Sequence, residues 1–153
     1  MATPQERLGE LGLSIPEVVP PVAAYVPAVR TGTHVYTSGQ LPMRDGKLTS
    51  TGKVGVDVSP DQAYEAAQQC ALNALAAVNA EIGDLSRVVR VVKLVVFVAS
   101  APNFTGQPQV ANGASELVGK VFGDAGRHAR SAVGVSGLPL DAPVEVEMVV
   151  EVS

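Results

Sequence analysis

The strongest secondary-structure signal in the chain is the stretch RVVRVVKLVVFVA, residues 87–99. Its centre, from Val91 to Val98, is nearly all β-branched or aromatic, which predicts a strand covered on both faces. Helical patterns flank this strand. One begins at the capping box Ser59-Pro60-Asp61-Gln62 and ends near Ile82, before Gly83, and the other covers Gln107 to Phe122. A buried strand between two long helices predicts a sheet with helices packed on it.

Further strand signals extend this sheet in both directions along the chain. Val22 to Arg30 and His34 to Ser38 predict two strands joined at a glycine turn, and Gly39 to Asp57 predicts a loop with a short strand near residues 52–56. At the other end, Arg130 to Ser136 and Val144 to Val152 predict a closing hairpin. We therefore expect an α+β domain in which a mixed sheet carries two long helices.

The first 21 residues differ from the rest in pattern. Thr3-Pro4-Gln5-Glu6 is a capping box that predicts a short helix to about Leu11, and a proline-rich connector follows from Ile15 to Pro21. We divide the chain into an N-terminal extension, residues 1–21, and one domain, residues 22–153.

Composition excludes several classes of protein. The chain has 153 residues, a net charge of −4 and a pI of about 5.1, which argues against a nucleic-acid partner. Its one cysteine, Cys70, excludes an internal disulfide, and Cys70 with two histidines is too few for a histidine-rich metal site. The start lacks the pattern of a signal peptide, and no apolar run approaches the roughly 20 residues that span a membrane. We expect a cytoplasmic protein without a metal, a cofactor or a membrane partner.

A cation and a carboxylate stand on the two strands of the predicted closing hairpin. Arg130 opens an otherwise apolar strand, and Glu145 lies on its predicted partner. The pair is either a structural cross-strand ion pair or a small anion site. In such a site the guanidinium binds a substrate carboxylate and the glutamate positions or activates a water molecule. Residue types alone leave both interpretations open.

Several short motifs, taken together, resemble the YjgF/RidA family of enamine and imine deaminases, also labelled endoribonuclease L-PSP-like. They are Thr37-Ser38-Gly39-Gln40-Leu41-Pro42, Asn112, Ala129-Arg130-Ser131-Ala132-Val133, Leu138-Pro139 and Val144-Glu145-Val146-Glu147. The resemblance runs from about Val22 to Val152. It implies a chorismate-mutase-like fold of the bacillus type and a homotrimer with clefts between subunits. It also implies hydrolysis of 2-imino acids to 2-keto acids and ammonia without a cofactor.

The resemblance also implies a role for single residues. Arg130 falls on the arginine that binds the substrate carboxylate, and Glu145 on the acid that holds the attacking water. The further substrate-binding positions that it implies are Ser38, Gly39, Tyr25, Asn112 and Ala132. Ala132 stands where many members have cysteine, and Ser115 replaces an aromatic residue common in the second helix, so this chain resembles a divergent branch.

Three functions follow from these observations. The first is a deaminase that needs both Arg130 and Glu145. The second is a non-catalytic sensor or carrier of small carboxylates, which needs only Arg130. The third is a ribonuclease or translation inhibitor, against which the acidic pI and the low aromatic content argue.

Overall fold

The computed structural model describes residues 2–21 and 23–153, and its helices begin where the sequence places their caps. Helix α1 covers Pro4–Glu10, α2 covers Pro60–Ile82 and α3 covers Gln107–Phe122. Thr3 and Ser59 each form a reciprocal capping box, with Glu6 and Gln62. Helix α2 ends at Gly83, whose φ of 87° is left-handed and therefore suits glycine. The two long helices of the sequence analysis are confirmed.

The described part of the chain contains seven strands in two sheets. Their bounds are β1 Ala28–Thr31, β2 His34–Thr37, β3 Met43–Arg44, β4 Lys47–Leu48, β5 Val88–Ala99, β6 Ala129–Val135 and β7 Val144–Val152. The main sheet has the order β1-β2-β7-β5-β6, and β3 pairs with β4 in a small hairpin. Within the main sheet β6 runs parallel to β5, and the other neighbours are antiparallel. This mixed sheet with its helices confirms the predicted α+β class.

The predicted closing hairpin between β6 and β7 is wrong. Strand β5 lies between them, pairing in parallel with β6 on one side and antiparallel with β7 on the other. Neighbouring strands are about 4.8 Å apart, so the connection has to cross only about 10 Å. The eight residues of the connection, 136–143, are long enough to do so. Arg130 and Glu145 are therefore not cross-strand neighbours.

Two shorter predictions also change. The strand predicted to start at Val22 begins at Ala28, directly after Pro27, which has no N–H to donate to a ladder. Val22 itself lies outside the described residues. The strand expected near residues 52–56 is only an isolated bridge at Val54, and the pairing in this loop is instead that of β3 with β4. Asp45 and Gly46, both with positive φ, form the turn between those two strands.

The core lies between one face of the main sheet and the helices. Strand β7 alternates as predicted, with its even-numbered residues from Val144 to Val152 buried and the residues between them half-buried. Helices α2 and α3 pack closely because Gly113 lies against the backbone carbonyl of Tyr64, where a β-carbon would overlap it. Leu8 of α1 is also fully buried in this core.

The second face of the main sheet, which we call the open sheet face, is only partly covered by the described residues. Tyr36 and Val133 are 49% and 43% exposed there, and Val95 and Phe97 of β5 are half-buried. The expectation that β5 is covered on both faces therefore fails for the single chain. Exposed apolar side chains on a sheet face, here among the charged residues Glu145 and Glu147, are a typical feature of an association surface.

Candidate functional site

Arg130 lies at the centre of a polar cluster between β6 and α3. Its Nη1 donates to Asn112 Oδ1 at 2.8 Å and to Ser115 Oγ at 3.2 Å. Asn112 and Ser115 are three residues apart on α3, a spacing that places both side chains on one face of the helix. Ser115 Oγ is also 2.8 Å from His128 Nε2, and His128 Nδ1 is 2.6 Å from the carbonyl of Gly126. We call Arg130, Asn112, Ser115 and His128 the arginine cluster.

The arginine cluster leaves part of the guanidinium available. Among the described residues, only Nη1 of Arg130 has hydrogen-bond partners, so Nε and Nη2 keep donors for a ligand. Nε and one Nη group of arginine form the planar fork that binds a carboxylate with two hydrogen bonds. Asn112 and Ser115 fix the orientation of this fork because they hold the other nitrogen.

Glu145 lies at a second place, beside a cavity of about 320 Å³. We call this cavity the glutamate pocket. Its walls come from the N-terminal connector, the loop after β2 and the turn before β7. The lining residues are Val19, Pro20, Pro21, Tyr25, Pro27, Gly39, Gln40, Leu41, Met43, Pro139, Leu140 and Glu145. Most of these residues are apolar. Burial and, to a smaller extent, the charge of Glu147 raise the pKa of Glu145 above its usual value.

Gly39 touches the Glu145 carboxylate directly. A β-carbon added at Gly39 would lie 2.7 Å from the carboxyl carbon of Glu145 and would overlap its Oε1. The loop that holds Gly39 is itself fixed from below, because the buried side chain of Asn73 on α2 donates to the carbonyls of Leu41 and Met43 at 2.9 Å each. Gln40 exchanges two backbone hydrogen bonds with Val146. The approach of the loop to Glu145 is thus set by backbone contacts.

The side chains of Arg130 and Glu145 lie on opposite faces of the main sheet. Arg130 reaches α3, on the helix side, whereas Glu145 alternates with the fully buried Val144 and Val146 and therefore lies on the open sheet face. The predicted site residues thus divide into two groups. Asn112 joins Arg130 in the arginine cluster, while Gly39 and Tyr25 line the glutamate pocket with Glu145.

The other predicted positions have more local surroundings. The hydroxyl of Ser38 donates to the carbonyl of Val26 at 2.6 Å, and its N–H donates to Pro27. Ser38 therefore joins the segment before β1 to the end of β2. Ala132 is half-buried, packs against the core and pairs with Val96 of β5. The thiol of Cys70 is fully buried, and burial followed by the charge of Glu145 raises its pKa well above the usual value. This thiol is poorly suited to act as a nucleophile.

The sequence analysis did not anticipate the contact between Ser115 and His128. It treated Ser115 only as a departure from the family pattern. The signal was present in the spacing: Ser115 follows Asn112 by three residues on a predicted helix, and His128 precedes Arg130 by two. No group of three or more potential metal-binding side chains occurs among the residues that the structure describes. Nor does any described helix have the length and hydropathy to cross a membrane.

Comparisons with known proteins place the chain in a family. Residues 5–152 match the family described as "YjgF/chorismate mutase-like, putative endoribonuclease". The chain belongs to this family. It is 47% identical over 148 residues to Protein TCP17 of Trypanosoma cruzi, covering 96% of this chain and 92% of that protein. It is 33% identical over 140 residues to the 2-iminobutanoate/2-iminopropanoate deaminase of Dermatophagoides farinae, covering 90% and 93%.

Solved structures of this family agree with the fold. The crystal structure of Atu1372 from Agrobacterium tumefaciens superposes with a TM-score of 0.93 at 49% identity, covering 98% of this chain and 92% of that one. The crystal structure of E. coli TdcF with bound serine superposes with a TM-score of 0.65 at 25% identity, covering 90% and 94%. The serine in that structure is a small ligand of TdcF.

Proposed function

We propose that this chain hydrolyses 2-imino acids to 2-keto acids and ammonia, in clefts that form between the subunits of a homotrimer. The observation that carries the proposal is the pair of half-sites: a carboxylate-binding fork at Arg130 and a proton acceptor at Glu145 in an apolar pocket. The 33% identity to a 2-iminobutanoate/2-iminopropanoate deaminase supports the same chemistry.

The proposed reaction needs only these groups. Arg130 binds the substrate carboxylate through Nε and Nη2, which places the imine carbon beside it. Glu145 accepts a proton from water as the oxygen attacks that carbon of the protonated imine, and the carbon–nitrogen double bond becomes single. Glu145 then gives this proton to the amine nitrogen. It accepts the proton of the new hydroxyl group as the carbon–nitrogen bond breaks and the carbonyl forms, and the leaving ammonia takes that proton away from the 2-keto acid. Burial of Glu145 assists because its raised pKa makes it a stronger base.

Association of subunits would bring the two half-sites together. Within one chain, β5 separates Arg130 from Glu145, and their side chains leave opposite faces of the sheet. A neighbouring copy that covers the open sheet face would supply one half-site to the other. The exposure of Tyr36 and Val133 on that face favours such an association.

Mixed trimers test this arrangement. Arg130→Ala and Glu145→Gln are each expected to abolish most hydrolysis of a 2-imino acid generated in situ and followed by semicarbazide trapping. Co-expression of the two variants with different affinity tags should restore about a quarter of the wild-type activity, because about one cleft in four receives both native residues. A co-expressed mixture as inactive as its parents contradicts the shared cleft. Full turnover in Glu145→Gln alone contradicts the catalytic role of Glu145, whereas carboxylate binding without turnover in the wild type supports the carboxylate carrier.

A further inference from the structure

The Ser115–His128 contact has the geometry of a nucleophile beside its base. The carbonyl of Gly126 can only accept a hydrogen bond, so the 2.6 Å contact requires the proton of the imidazole on His128 Nδ1. In the neutral imidazole Nε2 then carries the lone pair and can accept the proton of the Ser115 hydroxyl, whose oxygen is 2.8 Å away. A hydroxyl that donates to a histidine, which is itself oriented by a third group, is the arrangement that activates serine for attack.

Arg130 completes this arrangement with charge. Its Nη1 donates to Ser115 Oγ at 3.2 Å, on the same oxygen that would attack a substrate. A guanidinium at this distance stabilises the negative charge that develops on the oxygen as its proton leaves. The remaining donors of Arg130, on Nε and Nη2, are each two bonds from Nη1. A substrate carboxylate bound there would lie close to Ser115.

We propose that Ser115 and His128 form an acyl-transfer site for small anionic esters, in which Arg130 binds a carboxylate near the scissile carbonyl. This activity goes beyond the proposed imine hydrolysis and does not depend on it, because Ser115, His128, Arg130 and Asn112 all belong to one chain. The substrate class is a half-ester of a short dicarboxylic acid, since one end has to pair with Arg130 while the other meets Ser115.

The reaction proceeds in two balanced steps. Ser115 Oγ attacks the carbonyl carbon while His128 Nε2 takes the hydroxyl proton; the bond to the leaving alcohol breaks, and the alcohol takes that proton from His128. This step forms an ester on Ser115. Water then gives a proton to His128 and attacks the same carbon, the bond to Ser115 breaks, and Ser115 Oγ recovers the proton. The products are the dicarboxylic acid and the alcohol.

The first test uses mono-4-nitrophenyl glutarate, with 4-nitrophenyl butyrate as a neutral comparison. The wild-type protein should hydrolyse the anionic ester at least about tenfold faster than the neutral one, because only the former pairs with Arg130. Ser115→Ala and His128→Gln should each lower the rate of the anionic ester by about 10²-fold or more. The double variant should lose no more than either single one, since the two residues act as a unit.

The chain offers a matched control in its other histidine. His34 Nδ1 makes a longer contact of 3.4 Å, with the hydroxyl of Thr33 on the exposed β1–β2 turn. His34→Gln should hydrolyse the anionic ester at the wild-type rate. Equal rates in the wild type and Ser115→Ala, or an equal loss in His34→Gln and His128→Gln, would overturn the proposal.

A second measurement does not depend on turnover. Ser115→Cys keeps a nucleophile at this position, and the native thiol of Cys70 is fully buried, so the wild type serves as the blank. Iodoacetamide at neutral pH should alkylate Ser115→Cys at least about tenfold faster than Ser115→Cys combined with His128→Gln, because the imidazole promotes thiolate formation. Peptide mass spectrometry locates the adduct. Identical alkylation rates in the two variants would show that His128 does not act as a base toward residue 115, and the proposal would be rejected.

Discussion

Gly39 lies directly against the carboxylate of Glu145, and a single added carbon would occupy the space of that side chain. The β-carbon position of Gly39 is 2.7 Å from the carboxyl carbon of Glu145. The glycine therefore determines where the carboxylate can rest. It does so through the absence of a side chain and not through a hydrogen bond.

Gly39→Ala should displace Glu145 without unfolding the protein. The loop around Gly39 is held by backbone hydrogen bonds to Val146, so the glutamate side chain has to move instead. A shift of about 1 Å in a catalytic group lowers the rate by about 10²-fold, which we expect in the trapping assay. Gly119→Ala on α3 is the control, because a β-carbon there meets nothing within 4 Å. Wild-type turnover in Gly39→Ala would show that the position of Glu145 does not matter.

Arg130→Lys should weaken the binding of small 2-keto acids while the positive charge stays. Lysine lacks the planar fork, and it cannot donate to Asn112 and still bind both oxygens of a carboxylate. Isothermal titration calorimetry should give a dissociation constant at least about tenfold higher, corresponding to the loss of one charge-assisted hydrogen bond of about 1.5–3 kcal/mol. Lys120→Arg is a matched control at the exposed end of α3 and should leave the affinity unchanged. Equal affinity in Arg130→Lys would contradict the proposed role of the fork.

Glu145 should destabilise the protein at neutral pH. Because its pKa is raised in the folded state, the folded chain binds its proton more tightly than the unfolded chain does. Stability therefore falls as the pH rises from the unfolded pKa, about 4.3, through the higher folded pKa. Glu145→Gln removes this loss, and we expect a higher midpoint of thermal unfolding than in the wild type at pH 7 and a smaller difference near pH 4. The same ionisation gives the pH dependence of hydrolysis, which should fall as the pH drops through the folded pKa.

The control for that experiment is Glu10→Gln at the exposed end of α1. It removes one carboxylate from solvent and should move the midpoint little at either pH. A Glu145→Gln midpoint at pH 7 equal to or below that of the wild type would mean that the ionised side chain is well solvated or paired in the assembled protein.

Asn73→Ala should be among the more destabilising single changes. It removes two hydrogen bonds of 2.9 Å and leaves the carbonyls of Leu41 and Met43 without those donors. We expect a loss of about 1–3 kcal/mol in the free energy of unfolding by urea. Asn79→Ala is a useful comparison, because Oδ1 of Asn79 is buried and has no hydrogen-bond partner among residues 2–21 and 23–153. Asn79→Ala should lower the free energy of unfolding less than Asn73→Ala does, since no such pair of hydrogen bonds disappears. An equal decrease in the two variants would contradict the role assigned to Asn73.

The sequence predicted local structure well because local chemistry determines it. The capping boxes at Thr3 and Ser59 each involve residues three apart, so they are visible in any short window. The alternation in β7 is likewise a property of adjacent residues. The order of strands depends instead on contacts that are distant in sequence. A short segment between β6 and β7 is compatible with a hairpin and equally with a crossing over β5, and only tertiary packing decides between them.

The same distinction explains the site. Residue types and the family resemblance both point to Arg130 and Glu145, but neither reveals that the two side chains lie on opposite faces of the sheet. The arginine cluster forms because α3 packs on β6. This packing brings Ser115 into contact with His128, which is 13 residues away in sequence. Neither fact follows from composition or periodicity.

The contact of Gly113 with the Tyr64 carbonyl has a consequence for engineering chimaeric proteins from relatives. Helices α2 and α3 meet backbone to backbone at this point, and any side chain on α3 there would force them apart. Because Asn112 and Ser115 flank Gly113, such a separation would also move the arginine cluster. A chimaera that replaces one of these helices must therefore keep a glycine at position 113 and the turn of the other helix that faces it. Helices α2 and α3 should for this reason be exchanged together.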